Sequence, residues 1–264
     1  AEQNQDWLTL NPSREFFAGK GVNVVIPQAG AFSYYTDWVD ENVRGRYLNG
    51  PQKWETFLTK ELPGPIERML GANDRRAIAG FSMSGTTALV LPEHNPGMYK
   101  AAASFSGCAA TSSVQGYNFA RLTVNRAAWE QNYQSITPEQ MWGPMGGPYN
   151  RYNDALVNAE KLRGTQLYVS SGTGLAGRAD QVSYLMGIGA PEWAAYYSAG
   201  VLQVEGGVIE AAINSCTHDL KAKLDGLDIP AHYELRNVGT HSWPYWREDL
   251  GKAWQTTLAP ALGV

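Results

Sequence analysis

Residues 75–91, RRAIAGFSMSGTTALVL, decide how this chain is read. The first seven, RRAIAGF at 75–81, form a short apolar run that reads as a buried strand. Residues 85–96 read as a helix, closed by His94-Asn95-Pro96. Between them lies Gly80-Phe81-Ser82-Met83-Ser84-Gly85. A serine on a tight strand-to-helix turn projects its hydroxyl above the end of a sheet, and small flanking residues let the turn close. The next amide, that of Met83, then opens the helix and is placed to hold an oxyanion. The strict pattern ends in glycine; here Ser84 occupies that place and Gly85 follows. The competing reading is a Gly/Ser-rich turn with no nucleophile.

Outward from this turn, short apolar runs at 21–27 (GVNVVIP), 100–106 (KAAASFS), 165–171 (TQLYVSS) and 231–238 (AHYELRNV) read as strands. Residues 247–258 read as a closing helix. Residues 54–70 show helical apolar spacing that Pro63 and Pro65 should break or kink. Strands alternating with helices predict an α/β fold with a mostly parallel sheet flanked by helices. GVNVVIP is apolar on both faces and is expected inside that sheet rather than at an edge. Residues 108–163, with Gln131, Asn132, Gln134 and several aromatics, read as an insertion over one end of the sheet. A single domain spanning 1–264 is expected.

The chain has 264 residues, 17% of them charged and 44% hydrophobic. Disorder is excluded, because it needs high charge and few aromatics. Lys+Arg 21 against Asp+Glu 25 gives a net charge of −4, which disfavours nucleic acid as a partner. Runs such as Ala88–Leu91 are far short of the ~20 apolar residues of a membrane span. Cys108 and Cys216 stand alone, with no Cys/His cluster of metal-ligand spacing, so neither a metal nor a cofactor is implied. They read either as two buried thiols or as a bridge closing a loop of over 100 residues, worth roughly 4–5 kcal/mol.

A nucleophilic serine needs a base. Of His94, His218, His232 and His241, the last lies in the loop after the final expected strand, where the chain order serine, acid, histidine places the base. His232 falls within a strand, His94 reads as either a surface residue or a residue at a helix C-terminus, and His218 is undecided. Asp180, Glu192, Glu205, Glu210, Asp219, Asp225 and Asp228 all lie between Ser82 and His241, and pattern alone does not choose the acid.

Gly80–Gly85, Met141-Trp142-Gly143-Pro144 and Gly239-Thr240-His241-Ser242-Trp243-Pro244-Tyr245-Trp246 together resemble the antigen 85 type mycolyltransferases. So do Ser33-Tyr34-Tyr35-Thr36-Asp37-Trp38 and Lys53-Trp54-Glu55-Thr56-Phe57-Leu58. The insertion after Cys108, and the lack of paired cysteines before Lys53, resemble a corynebacterial-type member. The resemblance implies an α/β-hydrolase fold and a Ser–Glu–His triad. It also implies transfer of a mycoloyl chain from a trehalose ester to another trehalose ester, an envelope polysaccharide or a protein. Carried over by motif, Ser82 is the nucleophile, Met83 an oxyanion amide and His241 the base. Glu205, in Val204-Glu205-Gly206-Gly207-Val208, matches the family's acid segment. Ser242 and Trp243 resemble its sugar-side residues. A secreted, cell-envelope location follows, and with it a Cys108–Cys216 bridge. The family's Leu-Asp-Gly-Leu-Arg loop would lie upstream of Ala1, so further strands and a second oxyanion amide are expected from an N-terminal piece of the same gene product. A carboxylesterase of the esterase D or feruloyl esterase type shares fold, triad and chain order. A non-catalytic envelope-binding relative is the reading from another class.

Overall fold

The computed structural model describes residues 6–128 and 135–264; Gln131, Asn132 and Gln134 of the insertion lie outside them. Four parallel strands in the order β1-β2-β3-β4 form the sheet: β1 (Ala77–Phe81), β2 (Ala101–Phe105), β3 (Gln166–Ser171) and β4 (His232–Leu235). All four fall within the strands expected from the sequence. Register is fixed by pairs such as Gly80↔Ser104, Ala103↔Tyr168 and Val169↔Tyr233. Parallel neighbours require a crossover on a sheet face. The first is α1 (Met83–His94), which is buried over almost its whole length. The next segment carries α2 (Val114–Asn125). Then come α3 (Glu192–Val201), joined by a wide π-helical turn (Leu202–Gly206) to the long α4 (Gly207–Gly226). After β4 comes α5 (Trp243–Ala253), which continues through a π-helical turn (Trp254–Leu258) into a short C-terminal helix (Ala259–Leu262).

Side chains alternate across the sheet, as the strand period of two requires. Ala102, Leu167 and Val169 face a layer with Leu89 and Val90 of α1 and Leu220 and Leu224 of α4. Ala101, Ala103, Phe105 and Tyr168 face Trp246, Leu250 and Ala253 of α5. A third cluster lies beside the start of α1. It joins Trp38, Val43 and Leu48 to Ala120, Val124, Met141 and Trp142, with Met83 among them. Trp142 Nε1 donates to Thr36 Oγ1 (3.0 Å) and Tyr149 OH to the Asp37 carbonyl (2.6 Å). Residues 120–128 and 136–149 thus pack on 31–48 around the first residue after Ser82.

One local expectation is corrected. GVNVVIP forms no strand: residues 22–27 are irregular, and Val24 and Val25 are 44% and 46% exposed. Apolarity on both faces makes a strand only where a neighbouring strand can accept its ladder, and among the described residues none pairs with 21–27. β1 is accordingly an edge strand. Residues 54–70 divide as the prolines require: Trp54–Thr56 leads into a π-helical turn at Phe57–Glu61, Leu62 is a bend, and a new helical segment runs over Pro63–Leu70. Pro63 sits at the first position of that last segment, where its missing N–H costs nothing.

Glu93, in the last turn of α1, is buried, and neither carboxylate oxygen has a hydrogen-bond partner. Burial, then the nearby Asp154 charge, pushes its pKa well above the ordinary carboxylate value, with Lys161 opposing. A folded pKa above the unfolded one gives stability that is present at acid pH and lost as pH rises from about 4.3 towards the raised value. Glu93→Gln should therefore be more stable than the parent at pH 8, by about 1 kcal/mol or more, with the gap closing towards pH 4. Urea unfolding across that range measures it; parallel curves for the two proteins would rule the effect out.

Candidate active site

Ser82 sits between β1 and α1 with φ 56° and ψ −127°, a strained backbone for a residue with a side chain. The turn is held by three backbone bonds. Ser82 N–H donates to the Phe105 carbonyl of β2 (2.9 Å), and Ser82 C=O accepts from the amides of Gly85 (2.9 Å) and Thr86 (3.2 Å). Gly80 is required here, because a Cβ on it would lie 2.1 Å from the Ser84 carbonyl oxygen. Ser84, in place of the usual glycine, turns its hydroxyl back to donate to the Phe81 carbonyl (2.8 Å). Met83 is the first residue of α1, so its N–H has no acceptor within the helix.

His241 lies between β4 and α5. Its Nε2 is 2.8 Å from Ser82 Oγ, and its Nδ1 is 2.8 Å from Glu210 Oε2. Its backbone N–H donates to the Gly206 carbonyl (3.0 Å), and its ring stands edge-on to Trp246 at 4.9 Å. Glu210 is fully buried on α4. Its other oxygen accepts from Ser106 Oγ and from the Gly172 amide, both at 2.7 Å. Ser106, at the end of β2, in turn accepts from Trp246 Nε1 (3.0 Å). The carboxylate therefore has several donors and one orientation, and it can hold Nδ1 protonated so that Nε2 faces the serine as acceptor.

Glu205 is not on the imidazole; this corrects the acid expected from the sequence. It is exposed on the π-helical turn, five residues before Glu210 and on another side of the helix. The adjacent glycines serve close approach instead. A Cβ on Gly207 would lie 2.8 Å from the Gly174 carbonyl oxygen, and Gly206 carries the carbonyl that receives His241 N–H. The sequence does hold a signal for Glu210. It shares a buried stripe with Ile213, Thr217, Leu220 and Leu224, so it is a carboxylate where helical spacing demands core.

The other histidines are elsewhere. His94 is the last residue of α1 rather than a surface residue: its side chain is buried, with Nδ1 3.0 Å from Glu55 and Nε2 2.8 Å from the Tyr152 carbonyl. His218 and His232 are exposed. Ser242, expected on the sugar side, is buried, with its hydroxyl 3.3 Å from Asp180 Oδ1. Trp243 packs edge-on to Trp7 at 5.5 Å and against Phe81 at 4.6 Å. Cys108 and Cys216 are bridged, with Cα atoms 5.1 Å apart. The bridge ties the strand end that carries Ser106 to the helix that carries Glu210.

Asp180 organises the loop on either side of His241. Its fully buried carboxylate accepts from Thr240 Oγ1 (2.7 Å), Tyr245 OH (2.6 Å) and the Gly177 amide (2.8 Å), as well as Ser242. Burial and then the Asp180 bond push the Tyr245 hydroxyl well above its ordinary pKa, so it stays a donor. Asp180→Asn should loosen this loop and lower kcat on a soluble ester by about 10–100-fold, with little change in KM. An equal effect on both constants would show that Asp180 does not act through the histidine loop.

The family described as putative esterase matches residues 5–257. The diacylglycerol acyltransferase/mycolyltransferase Ag85A of Mycobacterium tuberculosis is 30% identical over 261 residues, covering 98% of this chain and 69% of that protein. The chain belongs to the antigen 85 family. Ag85C of Mycobacterium leprae, with the same activity in its name, is 28% identical over 94% of this chain and 68% of its own. The fold of this antigen 85 member matches the crystal structure of Mycobacterium tuberculosis MPT51 (FbpC1), with TM-score 0.72 at 22% identity, over 97% of this chain and 82% of that one. It also matches the fluorophosphonate-binding serine hydrolase FphF of Staphylococcus aureus, with TM-score 0.60 at 12% identity, over 97% and 77%. The fold is that of the α/β-hydrolases, and the antigen 85 relatives make the chain an enzyme of acyl chemistry.

Proposed function

We propose that this protein transfers a long acyl chain of the mycoloyl type from a trehalose ester to a second acceptor through a Ser82 acyl-enzyme. The observation that carries the reading is the continuous hydrogen-bonded chain Ser82 Oγ–His241–Glu210, with both links at 2.8 Å. The names of the antigen 85 relatives supply the acyl group.

In the cycle, Ser82 Oγ attacks the ester carbonyl carbon as its proton passes to His241 Nε2. Glu210 stabilises the imidazolium, and the Met83 amide donates to the oxyanion. The C–O bond to the sugar breaks, and the sugar alkoxide takes the proton from Nε2. An acceptor hydroxyl then attacks the acyl-serine with the same proton movements in reverse. Trehalose esters, envelope polysaccharide or a protein hydroxyl fit as acceptors. Trp243, with its aromatic neighbours, is proposed as the sugar-side wall; Ser242 acts on the other side, through the Asp180 network. The Cys108–Cys216 bridge fits a secreted protein of the cell envelope, since such bridges persist in oxidising compartments.

Incubation with a trehalose monoester donor, followed by peptide mass analysis, tests the reading. The expected result is an acyl adduct on the Ser82 peptide that moves to added trehalose. The family description as esterase favours one second reading, hydrolysis. An adduct that goes only to water, with no trehalose diester formed, would establish it in place of transfer.

A further inference from the structure

The helical arm formed by α3, the π-helical turn and the start of α4 is turned inside out. Its buried positions are small: Ala195, Ala199 and Gly206. Its bulky apolar residues face solvent. Trp193 is 75% exposed and Tyr197 72%, and Tyr196, Val201, Val204 and Val208 continue the exposed set at spacings of three and four residues. In an amphipathic helix of a soluble domain this stripe faces the core. Here small residues allow close packing on the protein side, while the large ones form a ridge along about 16 residues, or ~23 Å. Exposed apolar surface of this extent marks an interaction site.

The charge pattern selects the partner. Residues 182–209 contain no lysine or arginine, and only Glu192 and Glu205 are charged. Basic residues on such a helix would indicate anionic lipid, and their absence indicates a partner without net negative charge. Tyrosine and tryptophan carry an apolar ring and a polar edge, which suits the boundary between acyl chains and headgroups. A single convex ridge some 10 Å wide offers on the order of 200 Å² to a second copy of the chain, far below the ~800 Å² per partner of a stable interface. Gly206, whose carbonyl holds the His241 amide, lies within this arm, between Val204 and Val208 of the ridge.

We infer that the Trp193–Val208 ridge docks the protein on a lipid surface with uncharged or zwitterionic headgroups, with α4 and the His241 loop next to that surface. The inference goes beyond acyl transfer and stands on the exposure and charge patterns of the arm.

Flotation of the full chain with phosphatidylcholine vesicles, with and without phosphatidylglycerol, tests it alongside hydrolysis of a soluble p-nitrophenyl ester. The parent should bind phosphatidylcholine vesicles with no gain from phosphatidylglycerol and little dependence on salt. The triple variant W193S/Y196S/Y197S should bind more than 10-fold more weakly while keeping soluble-ester activity, which also reports its folding. Amide exchange over residues 193–208 should slow when the parent is on vesicles. Equal binding by parent and variant, no parent binding at millimolar lipid, or binding only to phosphatidylglycerol vesicles would each overturn the proposal. So would a parent dimer that the variant converts to monomer, which would make a second copy the occupant. Failure of acyl transfer to trehalose with vesicle binding intact would overturn the functional reading and leave the docking face standing.

Discussion

Ser82→Ala and His241→Ala should each lower kcat for a soluble ester by about a million-fold, and the double variant should lose no more than either alone. The serine supplies the bond to the acyl group, and the histidine supplies the proton transfer that makes that bond form. With one absent, the other has no step to assist, which is why such groups act as a unit. The 2.8 Å Nε2–Oγ contact makes the expectation specific to His241. His94→Gln, by contrast, removes the buried Glu55 and Tyr152 contacts and should act on stability rather than on the chemical step. Additive losses in the double variant would separate the two side chains functionally. Initial rates with a p-nitrophenyl ester, normalised to folded protein by circular dichroism, measure all three.

Glu210→Gln should lower kcat by about 10³–10⁴-fold with the fold retained. The amide is isosteric with the carboxylate, so the Ser106 and Gly172 donors keep an acceptor. What disappears is the negative charge that stabilises the imidazolium. An amide nitrogen placed towards Nδ1 would also favour the wrong tautomer. Glu205→Gln, five residues away and exposed, should stay within about twofold of the parent. The reverse ranking would return the acid's role to Glu205 and leave the Glu210 contact structural.

Four strands, the turn at Ser82 and the position of His241 were legible because each is a local pattern. A short apolar run between turn residues reads as a strand, and small residues around a serine fit one kind of turn. GVNVVIP failed because apolarity says nothing about whether a neighbouring strand exists to pair with it. The residue pattern leaves the acid open, and the family resemblance points to Glu205 through its flanking glycines rather than to Glu210. The buried stripe through Glu210, Ile213 and Thr217 carries the physical signal, and it belongs to the helix Gly207–Gly226, which starts at the second of those glycines. Ser242 shows a third limit. In extended backbone (φ −148°, ψ 155°) neighbouring side chains point in opposite directions, so adjacency to His241 places its hydroxyl on Asp180 rather than beside the ring nitrogens. Nothing in the sequence distinguishes buried Glu93 from the other carboxylates, because its isolation depends on what packs over the end of α1.

The bridge between Cys108 and Cys216 also sets an order of assembly. The two thiols are 108 residues apart, and Ser82 and His241 are 159 apart. Synthesis delivers the β2 end long before the helix it must meet, and bringing such distant segments together is the slow part of folding. Once oxidised, the bridge holds the α4 segment beside Ser106 while β4 and the His241 loop are still to be placed. In a reducing cytosol that tether never forms, and the acid-bearing helix must find its place by packing alone. The oxidant available where the chain emerges is therefore a determinant of the yield of active protein, and a host compartment that forms disulfides is the appropriate one for its production.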